Sequence, residues 1–344
     1  MASPLLTTQP FKGAYFALFF CLLPPRLFSL AILYLLRRSL RPVQEWSIVQ
    51  RLGRAYLNSW FNLVSVTHHQ AGEQLVVPKN ATSKFITLEP PTDDYFSRLL
   101  RPENIKPSTY RDGIRKQKVV LHFPGGAFVL PLATNQLGEP SPSDQPARRR
   151  YTRFLAAIQD LVTAYHHLIE SGVDLKRIII SGDSAGGNLA LALLRGQDRL
   201  PLPSGFMAFS PPVHFTAHAD RDYEGYRNGT TDILAPSLIK WAVDAYLLKQ
   251  SDAYEEEARP FFSPLHHPFK TKVPLFLHVG KKEAFYDTIK DFSTEMSQIR
   301  GNQVRLHETE LAPHDIFLTH KLLGFTHQIG EAMKDARRFF EAYS

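Results

Sequence analysis

Residues 182–186 read Gly-Asp-Ser-Ala-Gly, and this pentapeptide with its flanks restricts the fold more than any other part of the chain. Three isoleucines, residues 178–180, precede it, and a run rich in alanine and leucine follows it. A short apolar β-branched run is typical of a strand buried on both faces of a parallel sheet. Glycines on both sides of Ser184 permit the tight strand-to-helix turn known as a nucleophile elbow. The Ala185 amide would then face any negative charge that develops beside the serine.

From about residue 78 onward, apolar runs and amphipathic stretches alternate along the chain. Strands are predicted at residues 84–88, 118–123, 177–181, 205–210, 274–279 and 304–306, and helices at 152–170, 185–194, 237–247 and 325–340. This alternation predicts an α/β fold with a doubly wound, mostly parallel sheet. We therefore predict two parts, an N-terminal apolar and helical cap over residues 1–77 and a catalytic α/β domain over residues 78–344.

A serine hydroxyl is a weak nucleophile unless a base removes its proton. In a strand–turn–helix arrangement of this kind the base is a histidine beyond the last strand. Of the fourteen histidines, His314 lies in a proline-containing loop after predicted strand 304–306. His307 abuts that strand and His320 falls in a predicted helix, so position and chain order favour His314 as the base.

A carboxylate must orient the imidazole and stabilise its protonated form. It is expected after the penultimate strand, where residues 280–287 read Gly-Lys-Lys-Glu-Ala-Phe-Tyr-Asp. Glu283 comes first and is the preferred acid, with Asp287 as the alternative.

Acyl transfer also requires donors for an oxyanion. Residues 123–128, Phe-Pro-Gly-Gly-Ala-Phe, form a glycine-rich loop that follows a predicted strand, as the HGGG-type motif does. We expect the amides of Gly125 and Gly126 to join that of Ala185. Pro124 has no N–H and is not a donor.

These four segments together resemble the hormone-sensitive-lipase group of α/β hydrolases, and the N-terminal Pro-Pro-Arg segment is similar to fungal members that are often encoded beside natural-product pathways. The resemblance covers nearly the whole chain. It implies esterase or lipase-like activity on short acyl esters without a cofactor or metal. It also implies Ser184 as nucleophile, Glu283 as acid, His314 as base, and Gly125, Gly126 and Ala185 as oxyanion donors.

Two departures from that family pattern are visible. Pro124 stands where members usually carry histidine, which predicts a reshaped pocket floor. The family places a helix and another sheet strand within the interval that is here residues 129–150, which contains four prolines. Proline is excluded from central strands because it cannot donate to the ladder. We therefore predict that the sheet lacks one central strand, either through genuine shortening or through a misread exon boundary.

Residues 14–36 are the most apolar stretch of the chain, and the sequence Pro-Pro-Arg interrupts them at residues 24–26. The interruption predicts a kinked hairpin or two interfacial helices rather than one straight span. A soluble helical cap is an equal alternative, and a signal peptide is a weaker one. If the stretch spans, the basic residues Arg37, Arg38 and Arg41 favour a cytoplasmic catalytic domain. We expect a cytoplasmic or membrane-associated location, such as the endoplasmic reticulum.

Composition narrows the function classes. The single cysteine excludes an intramolecular disulfide and a cysteine-rich metal cage. The net charge of +7 comes without a nucleic-acid-binding motif, so no nucleic-acid partner is expected.

The predicted function is a serine hydrolase of small or apolar carboxylic esters acting through an acyl-enzyme. Alternatives are an acyltransferase or condensation enzyme with the same triad, and an inert, membrane-attached or misfolded relative. The sequence leaves the oligomeric state open.

Overall fold

The computed structural model describes residues 4–67, 118–129, 154–170, 172–196, 200–216, 218–247 and 252–343. Its strands are β1 Val119–Phe123, β2 Ile178–Asp183, β3 Gly205–Phe209, β4 Leu275–Gly280 and β5 Val304–Thr309. Its α-helices are α1 Phe11–Leu36, α2 Ile48–Thr67, α3 Phe154–Glu170, α4 Ser184–Arg195, α5 Ala219–Gly225, α6 Pro236–Tyr246, α7 Asp252–Phe262, α8 Tyr286–Gln298, α9 Ile316–Leu323 and α10 Thr326–Glu341.

The five described strands form one parallel sheet in the order β1-β2-β3-β4-β5. The three central strands are buried along their whole length, as their continuous apolar sequences predict. Because all five run in the same direction, their carboxyl ends meet at one edge, where α/β proteins place their ligands. The predicted parallel α/β sheet with flanking helices is therefore confirmed.

The apolar face of α3 shows how a helix covers this sheet. Ile158, Val162 and Tyr165 recur at steps of three and four and are all buried. Tyr165 also donates its hydroxyl proton to the Pro201 carbonyl, 2.7 Å away, so its polar tip is satisfied. The predicted helix 152–170 is thus present as a core element.

Two predictions concern residues outside the described ranges. The strand predicted at residues 84–88 lies outside them entirely. The predicted loss of a strand concerns residues 129–150, of which only residue 129 is described. Within the described part of the sheet, β1 pairs directly with β2, from Val119 opposite Ile178 to Phe123 opposite Gly182. The absence of a further strand therefore stays a prediction.

The N-terminal apolar stretch differs from its prediction. It forms one helix, α1, which continues through Pro24 and Pro25 and does not break into a hairpin or two helices. Proline holds φ near the helical value, so a helix can pass through it when the missing N–H donors are tolerated. Packing against α2, with Leu23 buried, contributes to keeping α1 continuous.

The next helix, α2, packs onto the part of the chain that contains the sheet. Before it, Trp46 is buried and donates its indole N–H to the Leu311 carbonyl at 2.7 Å. Within it, the Arg54 guanidinium donates to the carbonyls of residues 230–232, and Asn58 donates to the Leu234 carbonyl at 2.8 Å. Trp46 and α2 therefore contact the loops at the sheet edge directly. The predicted domain boundary at residue 77 lies outside the described residues.

Candidate active site

Ser184 lies at the junction of β2 and α4, where the sequence predicts a nucleophile elbow. The strand ends at Asp183 and the helix begins at Ser184 itself, which has φ of 47°. A positive φ is strained for a residue with a side chain and is concentrated at functional sites. This backbone turns the hydroxyl out of the sheet at the N-terminal end of α4, where unpaired amides favour negative charge.

The glycines of the pentapeptide are needed for space. A Cβ on Gly182 would lie 2.4 Å from the Gly186 carbonyl oxygen, and one on Gly186 would lie 2.0 Å from the Phe123 carbonyl oxygen. Both distances are far inside van der Waals contact and both neighbours are backbone atoms, which cannot rotate away. The turn therefore packs against β1 only when these two positions carry no side chain.

We expect Gly186→Ala to destabilise the protein by about 3 kcal/mol or more, because the added methyl group would overlap backbone atoms at the carboxyl end of β1. Gly330→Ala is the matched control, since a Cβ at Gly330 in α10 meets nothing within 4 Å. That change should leave stability unaltered or slightly improved, because alanine is the better helix former. Thermal unfolding of both variants measures the difference. A Gly186→Ala melting temperature equal to that of the wild type would contradict the steric argument.

The hydroxyl and the predicted base are in contact. Ser184 Oγ lies 2.9 Å from His314 Nε2, although 130 positions separate the two residues in the sequence. His314 is buried, and the Phe285 ring meets its imidazole edge-on with centroids 5.5 Å apart. For Nε2 to accept the serine proton, the neutral ring must carry its own proton on Nδ1. The geometry therefore suits transfer of the hydroxyl proton to the imidazole.

The predicted acid lies on the other side of the imidazole. Glu283 Oε2 is 3.7 Å from His314 Nδ1, and both side chains are almost completely buried. Among the described residues, neither Glu283 oxygen nor His314 Nδ1 has a hydrogen-bond partner at normal distance. A contraction of under 1 Å would pair them, and catalytic hydrogen bonds are commonly long without substrate. The structure thus brings Ser184, His314 and Glu283 together in one line, in which the serine hydroxyl faces one imidazole nitrogen and the carboxyl group faces the other.

Burial shifts the ionisation of both partners toward the neutral form. It lowers the pKa of His314, with the nearby carboxylates Asp232 and Asp183 acting in the opposite direction. It raises the pKa of Glu283 well above the usual range, and the negative charge of Asp232 adds to this increase. A neutral imidazole is the form that can accept a proton. Once it is protonated, its charge favours the ionised form of Glu283.

The alternative acid, Asp287, is in a different environment. Its carboxylate is paired with Arg227 at 2.5 Å, and 43% of the Asp287 side chain is exposed. Asp287 lies in the first turn of α8, whereas Glu283 lies in the turn after β4. The geometry favours Glu283.

The glycine-rich loop departs from its predicted role at Gly125. The Gly125 N–H donates to Asp183 Oδ2 at 3.0 Å, and a backbone amide has only one proton to donate. Because this bond uses the only proton of the Gly125 amide, Gly125 has none left to donate to an oxyanion. Gly126 has φ of 125° and begins a run of three positive-φ residues, a sharp turn that lies beside the elbow. Gly126 and Ala185 keep the predicted donor role as a proposal.

The carboxylate of Asp183 connects the loop to the elbow. Its Oδ1 is 2.8 Å from His122 Nε2, while Oδ2 accepts from the Gly125 amide. His122 Nδ1 in turn lies 3.0 Å from Ser181 Oγ. Sequence reasoning assigned no role to Asp183 or His122, although Asp183 stands inside the pentapeptide. Their contacts hold the end of β1 against the end of β2.

Two further buried polar residues were missed because no local motif marks them. Asp232 is completely buried and accepts hydrogen bonds from the backbone amides of Ala284 and His314, each at 2.8 Å. Ser210, at the end of β3, accepts from the Asp315 amide at 3.1 Å. Each connects segments that are distant in sequence, so only the folded chain reveals them.

The aromatic residues between β3 and β4 have two environments. Phe215, Tyr223 and Tyr246 are buried in the core. Tyr246 also stacks on Phe128, just after the glycine-rich loop, with ring centroids 3.7 Å apart. Tyr226 and Trp241 are only partly buried against the core.

The described residues contain no group of three or more His, Cys, Asp or Glu side chains that could hold a metal ion.

Comparisons with known proteins agree with this architecture. A family model described as the alpha/beta hydrolase fold matches residues 151–318, slightly under half of the chain. An acetyl-hydrolase of Streptomyces hygroscopicus is 31% identical over 140 residues, 39% of this chain and 43% of the relative. An esterase of Acinetobacter venetianus is 28% identical over 195 residues, 53% of this chain and 62% of the relative. The chain thus spans about half the length of these curated relatives. Both are bacterial, so they do not support the expected likeness to fungal members.

Solved structures extend the comparison. The crystal structure of EstE5 soaked with p-nitrophenyl butyrate has a TM-score of 0.53 and 25% sequence identity, covering 67% of this chain and 79% of that one. An esterase/lipase from an uncultured bacterium gives the same TM-score, identity and coverage. The parallel sheet, the elbow at its carboxyl edge and these likenesses together show that the chain has the α/β-hydrolase fold, with residues 151–318 matching the family of that description.

Proposed function

We propose that this chain is a serine hydrolase of carboxylic esters. The observation that carries the proposal is the 2.9 Å contact between Ser184 Oγ and His314 Nε2 at a strand–helix turn, with Glu283 behind the imidazole. A hydroxyl in contact with a neutral imidazole, itself backed by a carboxyl group, is the arrangement that activates serine for attack on an acyl carbon.

The reaction takes two steps. His314 accepts the Ser184 proton as Oγ attacks the ester carbonyl, and the oxyanion lies against the amides of Gly126 and Ala185. The same proton then passes from Nε2 to the departing alcohol, which leaves an acyl-enzyme. In the second step His314 takes a proton from water as the water oxygen attacks the acyl carbon, and it then returns this proton to Ser184 Oγ as the bond between Oγ and the acyl carbon breaks and the acid leaves. Glu283 stabilises the imidazolium in both steps, and each oxyanion donor contributes about 2.7–4 kcal/mol.

Small esters with an apolar acyl group are the proposed substrates. Phe128 is the last residue of the glycine-rich loop, and its ring stacks on the buried Tyr246 ring. Phe215 meets both rings edge-on, with centroids 5.9 and 6.4 Å away. Tyr246 and Phe215 are buried, so the partly exposed Phe128 ring that they hold in place is the surface that would favour a compact apolar acyl chain. The acetyl-hydrolase and esterase names of the relatives agree with this substrate class.

The direct test uses the purified full chain with p-nitrophenyl acetate, butyrate and octanoate, together with a fluorophosphonate probe. We expect turnover of the shorter esters and covalent labelling at Ser184, located by peptide mass spectrometry. Product analysis with added alcohols separates hydrolysis from acyl transfer. A cooperatively folded protein that neither turns over these esters nor reacts with the probe would refute the proposed function.

We further propose that α1 attaches the protein to a lipid bilayer. Its 26 residues extend about 39 Å, longer than the roughly 30 Å hydrocarbon core. Its most apolar 18-residue window has a mean hydropathy of 2.0 and is only 6% buried. Its exposed large apolar residues are Phe11, Leu18, Phe20, Leu22, Phe28, Ile32, Leu33, Leu35 and Leu36. The basic residues Arg37, Arg38 and Arg41 follow it at the position of lipid headgroups and favour a cytoplasmic catalytic domain.

Vesicle flotation tests this attachment. The double variant Leu22→Glu and Phe28→Glu replaces side chains that are 56% and 69% exposed. We expect binding to phosphatidylcholine–phosphatidylserine vesicles to weaken at least about tenfold, because each buried side chain contributes about 1.5–3 kcal/mol. The control is Val49→Glu on α2, where the residue is 59% exposed outside α1. Equal flotation of the double variant and the wild type, or no flotation of the wild type, would contradict attachment through α1.

A further inference from the structure

The carboxylate of Asp232 is completely buried and accepts four hydrogen bonds. Its Oδ1 accepts from the amides of Ile233 and His314, each at 2.8 Å. Its Oδ2 accepts from the Ala284 amide at 2.8 Å and from the Tyr223 hydroxyl at 3.1 Å. Four donors compensate the cost of burying one carboxylate, which would otherwise be several kcal/mol.

Two of these donors belong to the loops that carry the proposed base and acid. The His314 amide is the backbone of the base itself, and the Ala284 amide immediately follows Glu283. The two loops follow different strands, β5 and β4, and 31 positions separate their key residues. Asp232 is therefore a buried cross-link between the backbone segments whose side chains must face each other across 3.7 Å.

The backbone segment that carries Asp232 is fixed by hydrogen bonds to other parts of the chain. The Arg54 guanidinium of α2 donates to the Asp232 carbonyl at 3.1 Å and to the Thr231 carbonyl at 3.2 Å. Asn228, four positions earlier, donates its side-chain amide to the carbonyls of Lys281 and Glu283 at 3.0 and 3.1 Å. The carboxylate is thus anchored on a segment fixed by α2 and by the acid loop.

We propose that Asp232 is a positioning residue that holds the backbones of His314 and Glu283 in the spacing that ester hydrolysis requires. This inference rests on the proposed function and extends it to a residue outside the Ser184–His314–Glu283 line. The negative charge of Asp232 also stabilises the imidazolium that forms when His314 takes the serine proton.

Asp232→Asn tests the proposal at nearly constant volume. An asparagine has one acceptor oxygen, so it can satisfy only two of the four donors, and its NH₂ group must face the others. We expect kcat for p-nitrophenyl butyrate to fall about 10- to 100-fold with KM changed less than about threefold, since a small misplacement of catalytic groups has an effect of that order. Asp335→Asn is the matched control, because this buried carboxylate pairs with Arg305 and His307. Its kcat should stay within about twofold of the wild type even if its melting temperature falls.

The pH profile separates positioning and charge from a general loss of stability. His314 must be neutral to act as base, so kcat/KM rises with pH through its pKa. Removing the negative charge of Asp232 disfavours the imidazolium, so the acidic limb should move to lower pH by about one unit. The titratable groups that remain around the imidazole in Asp232→Asn are Asp183, Glu283 and Asp315. Asp335→Asn should leave the limb in place.

A second pair of variants applies if Asp232→Asn does not fold. Tyr223→Phe removes one donor to Asp232 and keeps the carboxylate, and we expect kcat to fall about three- to tenfold at unchanged KM. Tyr165→Phe is its control, because that buried hydroxyl binds the Pro201 carbonyl away from the site. An unchanged kcat in folded Asp232→Asn overturns the positioning role. If Asp232→Asn does not fold, an unchanged kcat in Tyr223→Phe overturns it instead. A folded wild type without turnover or Ser184 labelling would instead refute the proposed function itself.

Discussion

Replacing Ser184 with alanine is expected to lower kcat/KM for p-nitrophenyl butyrate by about 10⁴- to 10⁶-fold, the range seen when a serine hydrolase loses its nucleophile. The physical reason is that no other described hydroxyl lies within hydrogen-bond distance of His314 Nε2, whose contact is Ser184 Oγ at 2.9 Å. Fluorophosphonate labelling should disappear with the activity, while circular dichroism and the cooperative melt stay unchanged because the side chain is small.

Ser204→Ala is the matched control for that experiment. Its hydroxyl donates to the Ile178 carbonyl at 2.9 Å, at the opposite end of the same strand that leads into the elbow. We expect its activity to stay within about twofold of the wild type, since a neutral hydrogen bond there contributes only about 1 kcal/mol to folding. A Ser184→Ala protein that keeps a tenth of the wild-type rate, or that still reacts with the probe, would remove the basis for the proposed mechanism.

The second large effect is expected from Glu283→Gln, which should lower kcat by about 10³- to 10⁴-fold with little change in KM. The amide is nearly isosteric but cannot become negative, so the imidazolium of the transition state loses its counter-charge. Steady-state kinetics measure the fall in kcat, and thermal unfolding checks that the variant is folded.

Asp287→Asn provides the contrast, because its carboxylate pairs with Arg227 at the surface. Exposed ion pairs contribute about 0–1 kcal/mol, so activity and melting temperature should both stay close to the wild type. Should Asp287→Asn reduce kcat more than Glu283→Gln does, the acid would be Asp287, and the 3.7 Å approach of Glu283 to His314 would have another explanation.

Much of the sheet could be predicted because its signals are local. The isoleucines at residues 178–180 lie in the buried strand β2, and the mainly apolar residues 275–279 lie in the buried strand β4. These short apolar runs and their immediate sequence neighbours are sufficient to predict both strands. The elbow is local at Gly182, where a Cβ would meet the backbone of Gly186 four positions later, whereas glycine at position 186 is required by the Phe123 carbonyl of β1.

The N-terminal prediction was wrong for a reason that is not local. Two consecutive prolines normally end or kink a helix because they lack N–H donors. In the folded chain α1 lies along α2, and the Phe20 ring meets the Trp60 ring with centroids 6.4 Å apart. Contacts of this kind contribute free energy that the local sequence does not contain, so the helix continues.

The glycine-rich loop shows a similar limit. Its sequence indicated two consecutive glycine amides as donors, but the Asp183 carboxylate already accepts the first of them. Nothing within residues 123–128 reveals that the Gly125 amide donates a hydrogen bond to Asp183, 58 positions later in the chain. The pattern could predict the loop but could not identify which of its N–H groups remain available.

The amino-acid sequence by itself determined the alternation of strands and helices, the elbow at Ser184 and the chain order of the three candidate catalytic residues. These follow from side-chain periodicity and from steric limits that act within a few residues. Only the tertiary structure decided that Glu283 rather than Asp287 faces His314, that Gly125 is already bonded, and that Asp232 joins the acid and base loops. Those contacts span between 31 and 82 positions in sequence. They form only when the whole sheet brings the carboxyl ends of its strands to one edge, where burial and hydrogen bonding select among residues of the same chemical type.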